Sequence, residues 1–355
     1  MANQETQLLD EIITTSRRKM MTFGAASLAG LMMAATAKEA KAATATYTDA
    51  DILNFALNLE YLEANFYYLS AFGTTIDKPN AASVAAGGPS AGIPITGSVG
   101  TAGTVSGGSL VPFTTVTVGS YATETAIEEG KHVLFLQSAL GSSTAVAQPA
   151  INLGTSWQTL AAAANTVTPA GAIPPSFSPY ASDDTFLVGA YVFEDVGVTA
   201  YHGAAALLTV SGNLSAAAGI LAVEAYHAGL VRTTINALGS AALIGYTTSI
   251  SNLRNALSQA GLLGQPASAT SYDANPDDYG LATFTTPTSL GTTSTATATR
   301  IVDANPADVV AFGRNTTQVL NIVTGGGAVN GTAAVSPAKG VFFPNGLNAG
   351  PNGFS

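Results

Sequence analysis

The sequence repeats one arrangement of glutamate, histidine and tyrosine residues, and this repeat constrains the fold more than any other feature. Glu60 is followed seven residues later by Tyr67, and Glu194 is followed at the same spacing by Tyr201. A Glu-x-x-His motif comes after each pair, at residues 129–132 and at residues 224–227. Because a Glu and a His three positions apart share one helix face, the order predicts an all-α, antiparallel four-helix bundle with inward-facing ligands.

Apolar periodicity and helix-ending glycines place the helices along the chain. We predict four long helices and a fifth, short helix at residues 48–71, 121–140, 184–208, 214–238 and 249–261. Either Thr48 or Asp49 suits the N-cap of the first helix, and Gly73 suits its end. The sequence Ser182-Asp183-Asp184 is a good capping sequence for the third helix.

The connections divide the chain into a bundle at residues 47–262 and an irregular C-terminal tail at residues 263–355. Residues 73–120 form a Gly/Thr-rich insertion, with short strands expected around residues 110–118. Residues 141–183 form the long crossover between the two helix pairs. The tail has a modest helical stretch at 306–323, and its phenylalanines Phe342, Phe343 and Phe354 favour docking on the bundle.

The N-terminus is predicted to be a twin-arginine signal peptide at residues 1–42. Basic residues at 17–19 precede an apolar run at 21–37, and Ala40-Lys41-Ala42 provides a small-residue cleavage site. The alternative is a membrane anchor, but an apolar run of about 17 residues is marginal for spanning a bilayer. No later segment looks long and apolar enough to span. We therefore expect a periplasmic or extracellular protein without a transmembrane segment after cleavage.

The repeat supplies a complete ligand set for two metal ions. Glu60, Glu129 and His132 would serve one ion, and Glu194, Glu224 and His227 would serve the other, with Glu129 and Glu224 as the bridges. The hydroxyl groups of Tyr67 and Tyr201 would lie next to the ligands, outside the metal-binding set, and orient them. Four of the seven glutamates after residue 42 and two of the three histidines fall on these positions. Oxygen and imidazole ligands suit two iron ions, or manganese.

Other polar residues compete for a role in this site. Glu63 could replace Glu60 as the first-helix ligand, although Glu194 matches the position of Glu60. We expect Glu128 to be solvated, because it points about 100° away from Glu129 on the helix. His202 is interpreted as a structural histidine. A single Glu-x-x-His motif would be interpreted as a surface pair or a hydrogen-bonded core pair, whereas the six residues together favour a metal site.

Composition excludes several classes of function. The formal net charge of -10, without a basic cluster after residue 42, argues against a nucleic-acid partner. The absence of cysteine excludes disulfides, thiolate metal sites and cysteine nucleophiles. Only 10% of the residues are charged, so the surface is expected to be rich in small, uncharged residues and compatible with a homo-oligomer.

Several segments resemble the exported ferritin-like domain family, which includes the plant desiccation-related proteins. These segments are residues 57–67 (LNLEYLEANFY), 129–132 (EGKH), 222–227 (AVEAYH), 319–323 (VLNIV) and 340–346 (GVFFPNG). The resemblance covers most of residues 47–350 and departs from the family in the insertion. It implies a ferritin-like bundle and a stress-related or iron-related role. Related bundles, such as bacterioferritin, rubrerythrin and manganese catalase, share the ligand set and catalyse different reactions, so the fold does not fix the reaction.

Three functions are therefore compatible with the sequence. The leading hypothesis is an exported di-metal oxidoreductase that uses oxygen or peroxide as its small-molecule substrate, as a ferroxidase or in peroxide detoxification. The second is a structural or stress-protective envelope protein without a catalytic metal. The third is peroxide disproportionation of the manganese-catalase kind. Whether the protein is an enzyme is left open by the sequence.

Overall fold

The computed structural model describes residues 47–168, 172–263, 276–281, 283–287, 295–306, 309–325 and 340–349. The predicted signal peptide and Phe354 lie outside the described residues. The helices are α1 Asp49–Phe72, α2 Ala81–Ala85, α3 Val116–Leu140, α4 Ser156–Val167, α5 Asp183–Ala205, α6 Ser211–Leu238, α7 Ala241–Leu263 and α8 Thr316–Thr324. The strands are β1 Val105–Gly107, β2 Ile151–Leu153, β3 Thr283–Pro287 and β4 Thr295–Thr299. The predicted all-α class is confirmed, and the strands within the described residues form two short pairs.

Helices α1, α3, α5 and α6 form the bundle, and contacts at their ends fix its directions. The end of α1 lies beside the start of α3, where the Val111 amide donates to the Ser70 carbonyl. The starts of α3 and α5 lie together, because the Thr115 amide donates to the Asp183 carboxylate. A short turn reverses the chain between α5 and α6. Consequently α1 is antiparallel to α3 and α5, and α6 is antiparallel to α5 and α3, as predicted.

Local capping explains where the bundle helices begin and end. Thr48 is the N-cap of α1 and forms a capping box with Asp51, which decides between the two predicted caps. Gly73 ends α1 with a φ of 67°, a left-handed conformation that glycine adopts without steric cost. Ser182 forms a capping box with Thr185 at the start of α5, as its sequence predicted.

Several predictions of helices and strands outside the bundle core are wrong. The strands expected around residues 110–118 are not formed, because α3 already begins at Val116. The crossover contains α4, which was not predicted, and the fifth helix α7 is long rather than short. Within the predicted 306–323 stretch, the described residues 309–315 are not helical, and α8 begins after an Asn315 capping box. At residues 110–118 and before residue 249, β-branched residues and Gly245 disfavour a helix locally, and tertiary packing overrides that preference.

The Gly/Thr-rich insertion packs its backbone directly against the crossover. Strand β1 pairs in parallel with β2. Before these strands in the chain, Val99 and Val146 form an isolated parallel β-bridge. A Cβ atom at Gly97 would lie 2.3 Å from the Ala147 nitrogen, and one at Gly103 would lie 2.2 Å from the Ala150 nitrogen. Because only glycine permits this approach, packing requires glycine at these two positions of the insertion.

Residues 340–349 of the tail lie on the bundle. The Asn348 amide donates to the Asn58 side chain, which in turn donates to the Asn348 carbonyl. The ring of Phe342 lies 5.2 Å from Trp157 of α4 and 5.2 Å from Phe193 of α5. Trp157 itself is buried, and its indole N–H donates to the Leu153 carbonyl, so it packs as expected.

A buried ion-pair network attaches an earlier part of the tail to the other side of the bundle. Asp195 of α5 accepts from Arg232 of α6 at 3.0 Å and from Arg254 of α7 at 2.9 Å. Arg254 also reaches Asp278 at 2.6 Å, and Arg314 reaches Asp278 at 3.2 Å. Burial raises the pKa of Asp278, but Arg254 and Arg314 outweigh it and lower this pKa overall. The arginines therefore supply the cations that these buried carboxylates require.

The acidic, histidine and basic residues of helix α6 are Glu224, His227 and Arg232, and all three are buried. The rest of the helix is uncharged, and by length and composition alone it could cross a membrane, with 33% of its most apolar window buried. The prediction that no segment after the signal peptide is long and apolar enough to span a membrane was therefore wrong. Core helices of soluble proteins meet the same criterion.

Replacing Arg254 by methionine should destabilise the fold strongly. The substitution would leave Asp195 and Asp278 with fewer buried cations, and breaking a buried pair costs about 3–5 kcal/mol. Urea denaturation would measure the loss in the free energy of unfolding. The control Lys78→Met changes an exposed side chain and should alter stability by less than about 0.5 kcal/mol. Similar small losses in both variants would contradict a structural role for the network.

The carboxylate of Asp49 should stabilise the start of α6 in a pH-dependent way. The N-cap residue of α6, Val210, has no capping side chain, and Asp49 accepts hydrogen bonds from Thr209, Val210 and Asn213 instead. Burial raises the pKa of Asp49, but these hydrogen bonds outweigh it and lower the pKa to about 2.

This contribution should be present above pH ~4, the ordinary pKa of aspartate, and should be lost as the pH falls toward 2. At pH 7, Asp49→Asn should cost about 1 kcal/mol, the usual value of a helix cap. Measuring the wild-type minus variant difference in unfolding free energy between pH 7 and pH 3 tests this. A difference that stays constant or grows on acidification would show that the charge of Asp49 contributes nothing.

Candidate metal centre

The structure brings the six predicted ligands together inside the bundle. Each helix contributes from its inner face, and all six side chains are buried, with His132 the most exposed at 8%. Their ligand atoms form two groups, within each of which all atoms lie within 4.8 Å of one another. The groups are Glu60, Glu129, His132 and Glu224, and Glu129, Glu194, Glu224 and His227. Glu129 and Glu224 belong to both groups, which is the arrangement expected of bridging carboxylates.

The first group surrounds the Nδ1 atom of His132. This atom lies 3.4 Å from Glu60 Oε2, 3.3 Å from Glu129 Oε2 and 3.4 Å from Glu224 Oε1. Three helices thus supply carboxylate oxygens at nearly equal distances from one imidazole nitrogen. Ligand atoms of a single metal ion, each about 2.0–2.3 Å from it, would have such mutual separations.

The second group surrounds the Nδ1 atom of His227. It lies 3.0 Å from Glu129 Oε1 and 3.3 Å from Glu194 Oε2. Although 3.0 Å is short enough for a hydrogen bond, the angles at His227 Nδ1 and Glu129 Oε1 do not allow one. The two atoms approach each other without pointing at each other, as ligands directed toward a common centre do.

Unpartnered polar atoms provide the test of whether a metal pair fits. Within the described part of the chain, six buried ligand atoms have no hydrogen-bond partner: Glu60 Oε2, Glu129 Oε1, Glu194 Oε2, both carboxylate oxygens of Glu224, and His227 Nδ1. A buried polar atom left unpaired costs about 1–3 kcal/mol, and more when it is charged. Two divalent cations would balance the four carboxylates and provide these atoms with bonds. The residues present therefore fit a pair of metal ions.

The two tyrosines cross-connect the halves of the repeat. The Tyr67 hydroxyl of α1 donates to Glu194 Oε1 of α5, and the Tyr201 hydroxyl of α5 donates to Glu60 Oε1 of α1. Each bond occupies the carboxylate oxygen that is not directed at the metal groups. The tyrosines thus hold the two single glutamates in place, which is how outer partners orient metal ligands.

Glu128 also takes part, contrary to the prediction that it is solvated. Its side chain is 38% exposed, yet Glu128 Oε2 lies 2.7 Å from His227 Nε2. A metal-binding histidine almost always donates its second ring N–H to a carboxylate or carbonyl. That rule is a sequence signal for Glu128, because a carboxylate beside one Glu-x-x-His motif can reach the histidine of the other motif. The corresponding residue of α6 is Val223, which cannot accept such a bond from His132.

Glu63 and Gly197 break the symmetry of the repeat. Glu63 stands three residues after Glu60, and Gly197 stands three residues after Glu194. A Cβ atom at Gly197 would lie 2.2 Å from Glu224 Oε2, so the missing side chain allows Glu224 to lie against α5. Glu63 is buried nearby but does not belong to either ligand group, so the structure places Glu60 rather than Glu63 among them.

The electrostatics of the cluster show an excess of negative charge. Burial raises the pKa of Glu60 to about 7, and burial together with neighbouring carboxylates raises the pKa of Glu224 far above its ordinary value. Burial lowers the pKa of His132 and His227, but the glutamates around them outweigh it and raise both pKa values. Burial likewise raises the pKa of Glu129, yet the two imidazoles lower it overall. The carboxylates outnumber the imidazoles, so the cluster has a demand for cations.

His202 lies away from this cluster. Its Nδ1 atom is 3.1 Å from the Phe312 carbonyl of the tail, so it has the structural contact expected of it.

Comparisons with known proteins agree with this architecture. The sequence profile of the ferritin-like domain family matches residues 48–237, which include all four bundle helices. The desiccation-related protein PCC13-62 of Craterostigma plantagineum is 33% identical over 223 residues, which cover 61% of this chain and 64% of the relative. The chain thus spans less than two thirds of the length of that relative. No solved structure matches the chain significantly. From the family match and the helix arrangement, the chain belongs to the ferritin-like domain family.

Proposed function

We propose that the protein binds two iron or manganese ions in its bundle and acts as an oxidoreductase on oxygen or peroxide. The observation that carries this proposal is the set of unpartnered, buried ligand atoms in two groups that share Glu129 and Glu224. A hydrophobic core gains nothing from buried carboxylates unless a partner compensates their desolvation. A bound metal pair would supply one-electron chemistry at each ion, so that two electrons can pass to an oxidant.

The side chains around the pair would perform three tasks. Glu129 and Glu224 would bridge the ions and keep them close together. Tyr67 and Tyr201 would hold Glu194 and Glu60 in their binding orientation through the hydrogen bonds described above. When His227 is neutral, donation from its Nε2–H to Glu128 leaves the Nδ1 lone pair directed at the site.

Export is part of the proposal. The twin-arginine pattern near the N-terminus would direct the chain to the periplasm or the cell exterior. That pathway carries folded proteins, which suits a site that is filled with metal before export.

A stress-protective role is the second candidate function. It is favoured by the name of the relative, a desiccation-related protein, and by the low charged fraction of 10%. In that role the bundle would act through its surface and its stability, without turnover. Disproportionation of peroxide remains a third candidate, because the same ligands would support it. Oxygen evolution from peroxide without an added reductant would single it out.

Metal analysis of protein purified without chelators should find about two iron or manganese ions per chain. The double variant Glu129→Ala/Glu224→Ala removes both bridges, so it should lose the metal and any turnover while circular dichroism shows an intact fold. The control Glu124→Ala changes an exposed glutamate on the same helix and should keep both. Wild-type protein that contains neither metal, and takes up neither on reconstitution, would refute the di-metal proposal and favour the stress-protective role.

Glu128→Gln should weaken metal binding although Glu128 is not a ligand. Glutamine cannot stabilise an imidazole donor as a carboxylate does, and loss of such a partner typically costs about 10–100-fold in metal affinity. Competition with a metal indicator would measure the dissociation constants. Glu124→Gln, one helical turn earlier, controls for the loss of one negative charge. Equal affinities in the two variants would mean that the contact between Glu128 and His227 does not orient the ligand.

A further inference from the structure

The two halves of the repeat differ in bulk beside the metal centre. When Glu60 is aligned with Glu194, the residue before the tyrosine is Phe66 in α1 and Ala200 in α5. One residue before each glutamate, the same alignment pairs Leu59 of α1 with Phe193 of α5. Aromatic residues therefore stand on one side of the centre where smaller aliphatic residues stand on the other.

The aromatic side is closed. Phe66 is fully buried, and its ring lies 5.2 Å from Phe193, 5.5 Å from Trp157 and 5.8 Å from Phe186. These rings fill the space next to Tyr67 and Glu194. Close packing of this kind leaves no space for a small molecule.

The opposite side contains a cavity of about 30 Å³ between α1, α5 and α6. Its rim includes the half-buried residues Ala56, Ala200 and Ala204, which lie on facing helices. Its walls are aliphatic and aromatic, and its polar lining includes the carboxylates of Glu60, Glu63 and Glu224. Glu224 is 1% exposed, and both of its oxygens lack a hydrogen-bond partner among the described residues. The cavity thus joins a half-buried surface to one face of the candidate metal centre.

Size and polarity together select the occupant. A cavity needs about 10–15 Å³ to hold one water-sized molecule, so this one admits a diatomic molecule and excludes ordinary organic substrates. Water and hydrogen peroxide would find hydrogen-bond partners at the few polar lining groups and would lose hydrogen bonds along the apolar walls, which is costly without compensation. Dioxygen has no hydrogen bonds to lose. Apolar cavities of proteins stay dry and take up apolar gases such as xenon.

We propose that this cavity is the route by which dioxygen reaches the metal centre, and that Ala200 keeps the route open. The proposal rests on the function proposed above, because it assigns the oxidant of the same site. It also deepens that function: dioxygen enters through this cavity, whereas peroxide would have to use another path. The smaller residue at position 200, compared with Phe66 in the other half of the repeat, is the feature that creates the asymmetry.

The sharpest test transfers the bulky residue of one half to the other. Crystals of the wild type under xenon pressure should show a xenon atom in the cavity, with or without metal. Ala200→Phe should abolish that site and leave the metal content unchanged. The rate constant for reoxidation of the reduced, metal-loaded protein by dioxygen should fall by about tenfold or more, since the added ring raises the barrier to entry. Reaction with hydrogen peroxide should be unaffected.

Controls keep the outcomes separate. Ala163→Phe adds the same bulk at a half-buried position of α4 outside the cavity lining, and it should retain both the xenon site and the rate. If Ala200→Phe does not fold, Ala204→Leu narrows the same rim with a smaller side chain. If the wild-type protein binds metal but no xenon in the cavity, the proposed dioxygen route is refuted.

Two further results would also overturn it: a normal dioxygen rate after the xenon site is lost, or equal slowing of dioxygen and peroxide. Failure to bind metal would instead refute the proposed function. The xenon measurement reports on the cavity independently of that result.

Discussion

The compensation of buried negative charge is the constraint on which the rest of this structure depends. Four carboxylates meet two imidazoles in the centre of the bundle, and the ligand atoms are left without enough hydrogen bonds to satisfy them. Such a cluster is unfavourable in a protein interior unless cations compensate it. Around the cluster, the two tyrosines and Glu128 fix the orientation of individual ligands. The bundle is therefore organised as a binding site surrounded by apolar helices.

The same physical demand is met differently on the other side of α5. The carboxylate of Asp195 also lies deep in the protein, yet Arg232 and Arg254 reach it directly. The positive charge there comes from side chains of the chain itself, brought in by α6, α7 and the tail. Burial of a carboxylate alone consequently does not identify a metal site. The absence of a nearby Arg or Lys partner among the described contacts of the Glu/His cluster is what separates the two regions.

The repeat produces a symmetric set of ligands within an asymmetric surrounding. Glu128 supports His227, whereas Val223 stands in the corresponding position near His132. Gly197 leaves space for Glu224, whereas Glu63 fills the corresponding position on α1. Aromatic rings close one side of the centre and alanines line the rim of a cavity on the other. Differences of this kind would give the two ions unequal surroundings and give a small molecule a preferred side of approach.

The sequence alone determined the helix class, the order of the bundle helices and the identity of the residues that converge. Those features depend on helical periodicity, capping residues and motif spacing, all of which are local. Only the tertiary structure decided that Glu128 reaches His227, that Gly197 makes space for Glu224 and that the insertion pairs with the crossover. The full extent of α4 and α7 likewise depends on tertiary packing, which overrides local propensity. The physical reason is that these contacts join residues far apart in the chain, so they depend on how helices pack rather than on any local pattern.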